Sequence, residues 1–260
     1  LKVGQNAQAA TDAFSYNITD PAKVEELPAF VKEGLAAEAE ARGEKGWTVT
    51  LHAPSYSPFM TYSTQRDIKE ALYRAYNTRG IGGETDNVEN IRRIAELRLK
   101  IANLLGYKCY ADYVLEDRMA ESTKTVNGFL AELNKATLSY AKKDVAAITE
   151  YAHSLGFEGE LAPWDFGYYN EKYKEAKYAI NDEQIKPYLQ LENVKNAVFM
   201  LAGKLYGLTF TPVDNIETYH PEATVYEVRD DKGELMAILY LDFFPRESKR
   251  QGAWMTEFRG

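Results

Sequence analysis

A single apolar stripe between Ser122 and Leu155 constrains this chain more than any other feature. Val126, Phe129, Leu130, Leu133, Ala141, Val145, Ile148 and Ala152 recur along it at helical steps, with charged residues on the other faces. A strand repeats every two residues, so the spacing predicts one long helix with Ser122 as its N-cap. Shorter segments repeat the pattern. Asp20-Pro21 opens a first helix, since Asp caps and Pro tolerates the first turn. Pro28 opens a second, which runs through Phe30, Val31, Leu35 and Ala39 to a stop near Gly43. Pro54 and Pro58 bound a linker. Ile68, Leu72 and Tyr76 predict a helix from about Thr64 to Arg79. Ile91, Ile94, Leu97, Ile101 and Leu104 predict another from Asn87 to Leu105, and Gly80-Ile81-Gly82-Gly83 connects the two flexibly. Further helices begin at Pro163-Trp164 and at Leu191, the latter stopped by Gly207.

Only short stretches depart from that period. Trp47 to Leu51 alternates and is rich in β-branched residues, which reads as a strand. After Pro212, Thr224–Val228 and Met236–Leu241 are strand-like and joined by Asp230-Asp231-Lys232-Gly233, a joint suited to a hairpin with a left-handed glycine. The expected architecture is mainly α with some β, and about four-fifths helical. A multi-helix array fills 1–212, with its short strand near 47–51, and a small antiparallel β-hairpin unit occupies 213–260.

Composition narrows the function classes. The 260 residues carry 31 Lys+Arg against 39 Asp+Glu, a net charge of −8. No basic stripe offers itself to phosphates, which argues against nucleic acid. No apolar run reaches 18 residues, so no membrane span is expected. Cys109 is the single cysteine, which excludes an internal disulfide and an all-cysteine metal site. The three histidines, His52, His153 and His220, lie far apart, and no His-Glu-x-x-His occurs. Each reads as structural. A nucleophile elbow and a phosphate loop are absent as well, and the glycines at 80–83 follow a helix, not a strand. The 19 tyrosines could wall a peptide site, although packing from core to surface explains them better. Leu1 in place of Met, and Gly252 to Gly260 at the other end, which reads as the start of another apolar element, look like cut ends. The chain is therefore expected to be a piece of a longer one, with its compartment open and the cytoplasm favoured.

Several stretches nevertheless resemble one family. His220-Pro221-Glu222-Ala223-Thr224-Val225-Tyr226-Glu227-Val228-Arg229-Asp230 and Tyr240-Leu241-Asp242-Phe243-Phe244-Pro245-Arg246-Glu247-Ser248-Lys249-Arg250-Gln251-Gly252-Ala253-Trp254-Met255 are similar to a block of the thimet-oligopeptidase-like zinc peptidases, family M3. Thr50 to Met60, Leu104 to Tyr113 and Ala162-Pro163-Trp164-Asp165 resemble the same family in the same order. Within it, the wording of the C-terminal block looks most like the bacterial dipeptidyl carboxypeptidases, and next like oligopeptidase A.

The resemblance implies a mostly helical, two-lobed peptidase with a deep channel, one zinc ion and short peptides as substrates, with release of C-terminal dipeptides. It places the zinc helix beyond residue 260. No catalytic residue and no metal ligand are therefore expected in this chain, and no zinc is expected on it. It also implies that a strand around Gly252, Ala253 and Trp254 lines the cleft and offers backbone groups to an extended substrate. An ordinary edge glycine at 252 is an equal alternative. Self-association is expected through one face of Ile238–Phe244, the surface a missing half would cover. A non-catalytic helical peptide- or protein-binding module is the reading from another class.

Overall fold

The computed structural model describes residues 1–179, 182–246, 249 and 252–258. They divide into two compact units, one of residues 1–176 with 252–258 and the other of residues 177–179, 182–246 and 249.

In the first unit, α1 (Lys2–Ala13) leads into β1 (Ser15–Ile18), and α2 (Ala29–Ala41) leads into β2 (Trp47–Thr50). The two strands pair antiparallel, Ser15 opposite Thr50 and Ile18 opposite Trp47. β2 is the strand expected from alternation, whereas β1 is too short to show a period. Gly46 just before β2 has φ +89°, and a Cβ there would stand 2.2 Å from the carbonyl oxygen of Ile18, so only glycine fits. At Pro21 the chain forms a single 3-10 turn over Pro21–Lys23, and the Asp20 carboxylate accepts a hydrogen bond from the Ala22 N–H. The capping signal is real, but the helix goes no further.

The segment expected to be a linker is helical. α3 (Ala53–Tyr62) has Pro54 in its first turn, where no N–H is needed, and Pro58 inside, where one intrahelical bond is lost. Burial of Phe59 offsets that loss. Phe59 sits in a core with Ile18, Val31, Leu35, Val49 and Leu51, to which α4 (Arg66–Asn77) adds Ile68 and Leu72. After α4 the glycines are tied down. Gly80, Gly82 and Gly83 all have positive φ, and the Gly80 carbonyl accepts the Asn87 N–H at 2.8 Å. Buried Asn87 also donates its side-chain amide to the Val3 carbonyl in α1.

α5 (Val88–Leu104), α6 (Tyr110–Leu115), α7 (Thr123–Ser154) and α8 (Pro163–Tyr178) complete this unit. The Ser122 hydroxyl caps α7 by accepting the Thr125 N–H, as its position predicts. The second unit holds α9 (Asp182–Ile185), a 3-10 turn at Lys186–Leu189, α10 (Leu191–Tyr206) and a sheet. Gly207 ends α10 in the left-handed conformation at φ 71°. The sheet is β3 (Thr209–Pro212), β4 (Thr224–Arg229) and β5 (Leu235–Leu241), antiparallel with β4 in the middle. Val225, Tyr226 and Val228 of β4 are buried, and Phe199 of α10 stacks on Phe210 with 4.2 Å between ring centroids. The β4–β5 turn has Gly233 at φ +82°, and the Asp230 carboxylate accepts the N–H groups of Lys232 and Glu234.

The protein is mainly α, with small antiparallel sheets. Helices cover a little over half of it, not four-fifths, because loops rich in Gly, Pro, Asp and Ser separate them.

Candidate functional site

The antiparallel β4–β5 hairpin decides what meets at its open end. Thr224 stands opposite Leu241, so residues just before β4 lie beside residues just after β5. Asp242 is the focus there. Arg246 grips it in bidentate fashion, donating to both carboxylate oxygens at 2.9 Å. The Tyr219 hydroxyl donates to Oδ2 at 3.1 Å. The Lys249 ammonium lies 2.9 Å from Oδ1 and also donates to the backbone carbonyls of Asp242 and Phe244, at 2.9 and 2.7 Å. Glu222 stands 4.0 Å from Arg246, and its N–H donates to Nδ1 of His220. The Arg246 guanidinium is the main reason that the Asp242 carboxyl is held far below the usual carboxylate range, with Lys249 and Tyr219 adding to it. An anion so firmly held does not exchange protons near neutrality. It can anchor two cations, Arg246 and Lys249.

A second polar cluster joins α4 to α8. Asp165 is buried, and Arg66 clamps it through Nε at 3.0 and 3.1 Å and Nη2 at 3.0 Å, while the Ala162 N–H donates to it at 2.9 Å. The guanidinium lies 5.6 Å from the centroid of the Phe157 ring and 6.0 Å from that of Trp164. Lys69, one turn from Arg66, is buried with its ammonium 5.0 Å from the Tyr168 ring centroid. Burial pushes the Lys69 ammonium below its ordinary value, against the pull of Asp165. The tyrosines of α8 pack in the same way: Tyr168 meets Tyr169 edge-on, and Tyr173 tilts against Tyr151 of α7.

Of the residues expected to bind substrate, Gly252 has φ +98°, a conformation that favours glycine, with open space where a Cβ would be. Ala253 and Trp254 are exposed. Residues 252–257 form no strand. Glu247, Ser248, Arg250 and Gln251 of the resembling block lie outside the described residues. The histidines stay apart: His52 is 3.2 Å from Asp12, His153 Nε2 is 2.9 Å from the Gly159 carbonyl oxygen, and His220 belongs to the Asp242 cluster. Cys109 donates to Asp112 at 3.2 Å. Among the described residues, no three His, Cys, Asp or Glu side chains come together as metal ligands. These residues therefore do not fit a zinc ion. No helix among them is long and apolar enough to cross a membrane.

Asp242, Arg246 and Lys249 stand in the resembling block, and the sequence assigns them no role. Their one local signal is the four-residue step from Asp242 to Arg246. Arg66 and Asp165 are 99 residues apart, so only the fold reveals that pair.

The model of peptidase family M3 matches residues 59–260. The chain belongs to peptidase family M3. The resemblance seen in its motifs is thereby borne out. Over 98% of its length this M3 chain is 36% identical to an oligopeptidase A of Salmonella typhimurium and 35% identical to one of Escherichia coli. Over 90% of its length it is 32% identical to a dipeptidyl carboxypeptidase of Escherichia coli. The chain spans 38% of the length of each oligopeptidase A and 35% of the carboxypeptidase.

Proposed function

We propose that these 260 residues are part of a zinc metallopeptidase that cleaves short peptides, the metal being held by residues of the whole protein outside this chain. Membership of peptidase family M3 carries the reading. In this proposal the chain supplies scaffold and substrate-binding backbone. Gly252, Ala253 and Trp254 would receive an extended peptide in the whole enzyme.

Cleavage of the oligopeptidase A kind is the first reading, supported by the higher identity and fuller coverage of those relatives. Release of C-terminal dipeptides is the second, supported by the wording of the block from His220 to Met255 and by the carboxypeptidase relative. One substrate separates them. A peptide with a blocked C-terminus, given to the full-length protein, is expected to be cut, with sensitivity to a chelator. If only the free-ended peptide were cut, and always two residues from its end, dipeptide release would replace the first reading. If neither were cut by the metal-loaded protein, the peptidase reading would fail.

The substrate segment has its own check. In the full-length protein Gly252→Ala is expected to raise KM about tenfold, because alanine resists the left-handed backbone. An unchanged KM would remove this segment from the site.

A further inference from the structure

The most exposed part of the fold is the middle of α7. Each residue from 127 to 146 is exposed, over about 30 Å of helix at 1.5 Å per residue. Yet the apolar stripe does not stop there. Phe129, Leu130, Leu133 and Val145 continue the line that ends in Ile148 and Ala152, and those last two are buried within this unit. One face of one helix is thus seated at its C-terminal end and bare before it.

A helix left bare by design is polar all round and braced by ion pairs. This one is neither: among the described residues no ion pair lies within α7, and Phe129 is 64% exposed. Most of a helix's stability in water comes from packing its apolar face, so a stretch of this kind calls for a partner. α5 leaves a similar face bare, with Ile91, Ile94 and Leu97 all exposed while Ala102 is buried.

We propose that the 127–146 face of α7 is the seat of an apolar-faced helix from the remaining polypeptide of the same M3 protein. This rests on family membership, not on the peptidase reaction. The matched relatives carry the equivalent of this chain as 38% of one longer polypeptide, so most of each relative lies elsewhere in the same molecule. The face is also continuous with one already used inside this chain, which suits intramolecular packing by the same ridges and grooves.

The test is hydrogen exchange read on 127–146, with light scattering on the same samples. The full-length protein, run as a monomer, is expected to protect these amides at least about a thousandfold more than the 260-residue chain diluted to a monomer. Leu133→Glu is expected to lower the melting midpoint of the full-length protein and leave that of the 260-residue chain unchanged. Protection seen only when the full-length protein dimerises would make the occupant a second copy and overturn the proposal. Equal exchange in both forms would overturn it too, as would protection that appears only when a short peptide is added. Exchange is read without zinc or substrate, so loss of activity cannot imitate any of these outcomes.

Discussion

Asp242 shows how one carboxylate gathers donors from both ends of a hairpin. Its carboxylate faces Arg246, Lys249 and the Tyr219 hydroxyl, and each contact favours the ionised form. The folded-state value therefore lies below the ordinary aspartate value of about 4, and the sign of the linkage follows. The contribution to stability is fully present above that ordinary value and fades as pH falls towards the folded-state value. Asp242→Asn is expected to lower the unfolding free energy at pH 7, and the gap from the parent chain should narrow as the solution is acidified below about pH 4. Denaturant titrations at several pH values measure it. A gap that stayed constant down to pH 3 would mean that packing, not charge, gives the residue its worth. Little of this could be read beforehand. The sequence shows an acid followed four residues later by a base, but Tyr219 arrives only because the β4–β5 register returns the chain to the same end.

At the scale of elements, periodicity carried far. α4, α5, α7 and α10 stand within a few residues of where their stripes place them, and Ser122, Gly207 and Gly233 mark the ends and the turn as their chemistry demands. Two misjudgements have physical causes. α3 was hidden because Pro58 is a poor interior residue, and only the buried Phe59 beside it tips the balance. β1 was hidden because four residues cannot show alternation, and its pairing with β2, Ser15 with Thr50 through Ile18 with Trp47, comes from far along the chain. A stripe also does not say how much of itself is covered. In the 260-residue chain Ile148→Ala is expected to cost about 2–4 kcal/mol, since Ile148 is only 4% exposed. Leu133→Ala, on the same stripe and 47% exposed, should change stability by less than about 0.5 kcal/mol. Equal losses from chemical denaturation would show that the bare half of α7 is covered in solution.

For the molecule as a whole, the family was legible by resemblance and not by chemistry. Gly252, Ala253 and Trp254 are proposed from a block of neighbouring residues that reads like the family, while among the described residues no three His, Cys, Asp or Glu side chains gather as metal ligands. The exposed apolar side chains have a consequence of their own. Phe129 and Leu130 on α7, Val198 and Leu201 on α10, and Met236 and Ile238 on β5 all face solvent in their own units. Scattered apolar residues are ordinary on a surface, but stripes along several elements are not. A net charge of −8 opposes contact between copies at low salt and is screened above about 0.1 M. The 260-residue chain is therefore expected to gain mass with concentration in sedimentation, more steeply as salt rises, and without settling at a fixed stoichiometry. Association that weakened with salt would assign the contacts to charged groups instead, and a sharp dimer would mean that one face is shaped for its own copy.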